Sequence, residues 1–398
     1  MRFTFTGLAL LGTLAAHAQT GVGIGTTSPQ APLHVAEGSV LFSATGDAPA
    51  TGTATPVSGE GRRLLWLPDR AAFRVGFVTG TRWDNSNLGI YSFAAGYNAN
   101  ASGNTAVALG SESTASGERS FTFNGTASGY AAIAIGSGAQ ATNDDALAFG
   151  PSSIAMGLAS ICIGPSIARG MFGTAIGLQN SASGQFSTAI GKNARTNMKK
   201  GAMVLGDASA QFSSDSVYAS ADNQMAMRFA GGYKLYTAMN LSTGVQVAAG
   251  GGSWTNISDR RKKENFRPVD AEQVLRKVAA LPLSEWNYKT QPASQRHLGP
   301  MAQDFYQAFR LDGIGADTTI NSLDIDGVNM AAIQALEKRT ARLQQENAEL
   351  KAQLRRKDEQ LAAQLQLLNQ RLAALEQPKA PEPSRRKPHL ATQSVAAN

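Results

Sequence analysis

The sequence predicts a mainly β fold. A parallel β-roll wound in 14-residue coils comes first, then a small mixed segment that runs into a heptad helix. Three observations predict it. Glycine recurs every seven residues through the middle of the chain. Every second step is preceded by Ala-x-Ala-x-Gly or something close. Charge is low, at 16%, while glycine reaches 41 of 398 residues. Small residues at that density suit tight β layers rather than a compact globular enzyme.

The length allows two or three units. The net charge of +7 gathers at Arg260 to Lys263, along the C-terminal helix, and at Arg385-Arg386-Lys387. No aromatic residues interleave with these clusters, so nucleic acid is not expected as a partner. The single cysteine, Cys162, excludes an intrachain disulfide and reads as a buried small hydrophobe within Ile161-Cys162-Ile163. No cofactor-binding or metal-ligand pattern is visible.

Residues 1–18 read as a signal peptide. Arg2 precedes the short apolar core Gly7 to Ala15, and Ala16-His17-Ala18 is a small-x-small cleavage site before Gln19. The core is too short to span a bilayer, and no later stretch supplies the roughly 20 apolar residues of a transmembrane helix. An exported, extracellular or surface protein is expected, with no transmembrane segment in the mature chain.

Residues 19–90 read as a β-rich cap. Gly21 to Gly25 alternates glycine, but Pro29 and Pro32 follow at once, which rules out the helix a phosphate loop needs. The run Gly21 to Val35 resembles the entry segments of phage tail fibres and bacterial fibre proteins. Arg63 to Leu67 and Ala72 to Val78 look like short strands.

Residues 91–206 carry the repeat. Gly96, Gly103, Gly110 and Gly117 form one run. Gly129, Gly136, Gly150, Gly157 and Gly164 form a second, with Asn143 in the open slot. Gly170, Gly177, Gly184 and Gly191 form a third. Alternation of period two marks strands with one small and one bulky face. Two five-residue strands and two two-residue turns make a coil, and Gly or Asn after each strand is expected to supply a positive φ. Alanine fits a narrow interior. Ile, Leu, Val and Phe on the other face need cover that one thin coil cannot give, and association of three chains would give it. A heptad helix is excluded, because Gly and Asn at a fixed heptad position would break it. These 14-residue steps resemble the YadA-type heads of trimeric autotransporter adhesins, which implies a left-handed parallel β-roll trimer. The C-terminal membrane barrel of those adhesins is missing. The resemblance leaves a cell-surface or glycan ligand of the head as the candidate external partner.

Residues 207–257 read as a β connector, with a hairpin expected around Gly231-Gly232 between Ala226 and Tyr236. The connector ends at Ile257. Next comes the seam Ser258-Asp259-Arg260-Arg261-Lys262-Lys263-Glu264-Asn265. A serine needs a base to become a nucleophile, and a lysine serves when burial or positive neighbours depress its pKa. By chemistry alone the seam is equally a basic turn with a serine in front.

The seam closely resembles the opening of the endosialidase-type intramolecular chaperone domain, a serine peptidase family found at the C-termini of phage tail spikes and fibres. Trp286-Asn287-Tyr288, Arg296 to Phe305, and Asp324 to Ile333 resemble three further motifs in the same order. The resemblance implies a small α+β chaperone domain over 258–330 that acts as a self-cleaving serine peptidase. Ser258 would be the nucleophile, Lys263 the base, and Ile257–Ser258 the bond that is cut. Asp259 and Asn265 would support the motif structurally. His297 is either a supporting residue of the site or a structural histidine in a strand-to-helix turn. Lys262 stands where the family usually has an apolar residue, so two lysines compete as base and the spacing selects Lys263. The competing reading is an uncut fibre that keeps the domain as a stalk. A glycan-cleaving shaft is disfavoured, because Glu112, Glu118 and Asp144-Asp145 are isolated acids at turns.

Residues 331–377 read as a coiled coil, with the helix beginning near Val328; its leucines do not decide dimer against trimer, and the two resemblances imply a trimeric coiled coil. Core slots fall at Ile333, Leu336, Thr340, Leu343, Asn347, Leu350, Leu354, Lys357 and Leu361. A stutter follows, then Leu365, Leu368, Leu372 and Leu375. Pro378, Pro381 and Pro383 stop the helix, and 378–398 reads as a disordered tail. The partner expected from this end is the chain itself, as a homotrimer.

Overall fold

The computed structural model describes residues 21–49, 52, 54–311 and 317–376. The signal-peptide reading and the polar-tail reading lie outside those residues. The chain divides into two compact units, Met1–Lys262 and Lys263–Asn398.

The first unit is a β-roll. Gly61–Leu67 and Ala72–Val78 form an antiparallel pair at its start. From there the chain winds, and each strand pairs in parallel with the strand one coil on. Ile133 faces Leu147, and Leu147 faces Ile161, steps of fourteen residues. The coils are not uniform. Phe121 faces Ile133, a shorter step. Met203 faces Met225, a much longer one. The corners absorb these differences, and the columns stay straight.

The strands are shorter than the sequence suggested. One is typically three to five residues, as in Leu147–Phe149, and the other two, as in Ile154–Ala155. Most of each coil therefore lies in its two corners.

The roll's interior is a single column of small side chains. Arg74, Ala94, Ala108, Thr122, Ala134, Ala148, Cys162, Ala175, Ala189 and Val204 face one another in turn. All are fully buried. The opposite strands supply Ala101, Ala115, Ala127, Ala141, Ala155, Ala168 and Ala182. Alanine dominates because the two walls stand close together, and the larger Thr122, Cys162, Val204 and Arg74 are the exceptions. Cys162 takes an alanine's place, and its Sγ donates to the carbonyl of Ser166 at 3.0 Å. Burial raises its thiol pKa above the ordinary value.

Arg74 closes the column at the first coil. Its guanidinium donates to the carbonyls of Phe73, Ser92 and Ala101 and to Ser92 Oγ. Burial, and then the nearby charge of Arg70, pulls its pKa down to about 10.

The two outer faces differ. On one, Val107, Phe121, Ile133, Leu147 and Ile161 form a column beside Leu109, Phe123, Ile135, Phe149 and Ile163. Phe123 is 44% exposed and Phe149 50%. On the other, Asn100, Thr114, Thr126, Gln140, Ile154, Ile167, Ser181 and Arg195 alternate with the inner alanines.

The expected positive φ holds at one corner only. Gly177 there has φ +115°, outside the range of most residues. Gly170, at the other corner, is glycine for lack of room, and the positive φ passes to Phe172, two residues on. Asn143 occupies that crowded slot without a positive φ. The hairpin expected around Gly231-Gly232 does not form. Met225–Arg228 instead pairs in parallel with Met203–Gly206 as a further rung of the roll. Tyr233–Tyr236 pairs antiparallel with Gly244–Val247, which in turn pairs with Thr255–Asn256. The alternation of Met225 to Arg228 suits either pairing, and only the neighbouring rung decides.

Among the described residues the second unit holds three helices. Helix α1 spans Ala271–Ala280, α2 spans Ala302–Phe309, and α3 spans Ser322–Glu376. Asp270 caps α1, accepting the Gln273 amide at 3.0 Å. Helix α3 begins six residues before Val328, because the Asn321 side chain accepts the Leu323 amide and starts it. Its first turns pack on α1 through Val328, Ala332 and Ala335. Arg339 grips Glu272 at 2.6 Å across the same pair. Ile333, Leu336, Leu343, Leu350, Leu354 and Leu361 lie elsewhere on α3 and are each more than half exposed. Thr340 and Asn347 donate to backbone carbonyls one turn back. No helix among the described residues is long and apolar enough to cross a membrane.

Candidate functional site

The site is built from the end of the first unit. Thr255–Asn256 is the edge strand of the connector sheet. Ile257 follows and donates its amide to the carbonyl of Gly244 at 3.1 Å. The peptide bond to Ser258 thus leaves the sheet immediately after its last backbone anchor.

Ser258 is exposed, and the chain then makes a single 3-10 turn over Arg260–Lys262. Asp259 builds that turn. Its carboxylate accepts the Arg261 amide at 2.9 Å and the Arg261 guanidinium at 2.8 Å, and its carbonyl accepts the Lys262 amide. The Arg261 side chain, then its amide and the Lys262 charge, hold the Asp259 carboxyl below its usual value. Lys262 Nζ donates to the carbonyl of Leu241 at 3.3 Å. That lysine is committed to the connector.

Lys263 opens the second unit and is exposed. Asn265 adopts φ +59°, a conformation asparagine tolerates better than most residues.

His297 sits elsewhere in the second unit. It pairs across strands with Trp286. Its ring stacks on the indole at 4.7 Å, meets Tyr288 edge-on at 5.8 Å, and shares a hydrogen bond with Gln291 Oε1 at 3.0 Å. Two short neighbouring strands are thereby joined into one aromatic cluster. A groove of about 610 Å³ beside it is lined by Trp286, Tyr288, Met301 and Gln303. Trp286 Nε1 is buried there without a hydrogen-bond partner.

Sequence reasoning missed Arg74. The alternation in Ala72 to Val78 places it on the same face as Ala72 and Val78, and that parity was the available signal. Among the described residues no group of His, Cys, Asp and Glu could hold a metal ion.

Comparison with known families agrees with this division. Residues 258–313 match the family described as the chaperone of endosialidase. Residues 88–113, 101–121, 127–153 and 168–194 match the YadA head domain repeat. No curated protein matches the chain. The chain therefore combines segments similar to the YadA head repeat with a segment similar to the endosialidase chaperone.

Proposed function

We propose that the protein is an exported, homotrimeric, adhesin-like fibre assembled by its own C-terminal chaperone domain. The observation that carries the reading is the starting point of the chaperone match. It begins at Ser258, one residue after the roll's connector ends.

The physical need is twofold. One sheet face of the roll leaves apolar columns exposed, including Phe93, Phe123, Phe149 and Ile163, and a contiguous exposed apolar patch marks an interaction surface. Two further copies would cover it. Near-identical coils can also pair out of step, because neighbouring rungs present almost the same columns. A strong clamp at one end sets the register. The exposed leucine stripe of α3 suits such a clamp, with Thr340 and Asn347 selecting alignment.

The clamp is then released at Ile257–Ser258. Ser258 Oγ attacks the Ile257 carbonyl carbon while Lys263 takes the hydroxyl proton. The C–N bond breaks, and the Ser258 amine leaves with a proton. The resulting ester joins Ile257 to Ser258 Oγ, and water hydrolyses it to a free Ile257 carboxylate. The five-residue spacing from Ser258 selects Lys263 rather than Lys262 as the base. Assembly would withdraw Lys263 from water. The reaction is a single turnover within the assembly, with no external substrate.

A denaturing gel tests it. Wild type should give two fragments, the smaller beginning at Ser258. Ser258→Ala and Lys263→Ala should stay full length, and Lys262→Ala should still cut. A full-length wild-type band would leave the uncut fibre, with the domain retained as a stalk.

A further inference from the structure

We propose that the C-terminal coils of the roll bind a linear anionic polysaccharide, carried along the polar outer face by Arg169 and Arg195. The proposal deepens the adhesin-like reading of the head and rests on it for the outward orientation of this face.

Charge is segregated along the roll. Residues 91–145 carry Glu112, Glu118, Asp144 and Asp145 against Arg119 alone. The last rung of the roll adds Asp207, Asp215, Asp222 and Arg228, while from Ala146 to Gly206 no acidic residue occurs and Arg169, Lys192, Arg195, Lys199 and Lys200 do. None of these five makes an ion pair with a described carboxylate. A one-signed surface of this kind attracts polymers of opposite charge.

Two of the cations, Arg169 and Arg195, line a groove. Ile154, Ile167, Ser181 and Arg195 succeed one another in register down one outer column. The small Ser181 leaves a depression of about 340 Å³ between its larger neighbours, bordered by Arg169 and Gln179. Arg195 Nε donates to Ser216 Oγ at 2.7 Å, which orients its guanidinium. Arg169 has no described side-chain hydrogen bond.

The lining selects the class of polymer. An aliphatic floor accepts the C–H face of a sugar ring. Gln179 and Ser181 can meet hydroxyls, and a guanidinium matches a carboxylate or sulfate with two parallel hydrogen bonds. No aromatic ring lines the groove, so it lacks the stacking platforms that single-stranded nucleic acids use. The depression follows the roll axis, so the ligand is a chain rather than a single residue. The acids that flank these coils on both sides would repel the same polymer and confine it to the basic stretch.

The test measures binding of the full chain to sodium alginate and to heparin, with dextran as the neutral polymer and duplex DNA as the alternative polyanion. Alginate or heparin should bind, weaken with salt, and exceed DNA and dextran at least tenfold. Arg169→Gln with Arg195→Gln should lose at least tenfold. Arg169→Gln alone, which removes no described hydrogen bond, should lose at least threefold, and Glu118→Gln should change nothing. Absence of binding to both polysaccharides, unchanged affinity in the double variant, or equal affinity for DNA would overturn the proposal. The groove lies within one protomer, so binding is read whether or not copies associate. The mass of the assembled particle, measured on the same sample, reports separately on the trimeric reading.

Discussion

A Cβ placed on Gly170 would lie 1.9 Å from the carbonyl oxygen of Gly184, one coil further along the roll. The two backbones touch, and neither can retreat without breaking the parallel ladder that holds the coils. Gly170→Ala should therefore lower stability by about 3 kcal/mol. Gly231, outside the roll, has nothing within 4 Å of its Cβ position. Gly231→Ala should stay within about 0.5 kcal/mol of wild type. Thermal unfolding of the two variants compares them directly, and equal losses would refute the close-approach account.

Asp207 ties the last coils together. Its carboxylate accepts from the Ser209 hydroxyl, the Ala230 amide and the Arg228 guanidinium. Ser209 first, then Ala230, with Arg228 behind them, holds its pKa well below the usual carboxylate range. A depressed folded pKa contributes stability above the unfolded value, near 4, and that stability is lost as pH falls further. Wild type should lose melting temperature steeply below about pH 4. Asp207→Asn should start lower at pH 7 and show a shallower acid slope. Parallel slopes would exclude Asp207 as the source.

His297 separates the two roles its sequence left open. If its work is to stack between Trp286 and Tyr288, His297→Phe should keep the second unit folded. His297→Ala should cost about 1–2 kcal/mol, from two lost ring contacts. Chain cutting should survive in the phenylalanine variant. A variant that folds normally, by tryptophan fluorescence, yet fails to cut would instead place His297 in the chemistry.

If the exposed leucine stripe of α3 sets assembly, a charge placed in it should abolish association. Leu350 is 61% exposed in one chain and belongs to the heptad seam. Leu350→Glu should reduce the particle from three chains to one by light scattering, because a carboxylate cannot sit in a coiled-coil core. The same variant should fail to cut at Ile257–Ser258, since assembly is what would remove Lys263 from water. Full cutting in a monomeric variant would show that one chain suffices.

The roll was legible because its rule is local. Alternation puts Ala148 and Cys162 inside and Leu147 and Phe149 outside, whatever lies beyond. What stayed hidden depended on distant partners. Arg74 sits inside because Ala94, far along the chain, continues its column. Met225–Arg228 is a rung rather than a hairpin arm because Met203–Gly206 offers it an edge. The early start of α3 hung on one asparagine, Asn321, whose side chain accepts the Leu323 amide. At the seam, the residue types and their spacing could be read, and the commitment of Lys262 to Leu241 could not, since twenty-one positions separate them.

The unequal coils carry a broader consequence. Phe121 to Ile133 and Met203 to Met225 differ greatly in length, yet both end pairs stand in register. The roll keeps count of strands and ignores the residues between them. Its corners are therefore open docks for added sequence. A foreign peptide spliced at Gly138, where nothing crowds the backbone, would be presented at the rim while the alanine column beneath it stays intact. Variation in such a surface can accumulate corner by corner, without renegotiating the fold.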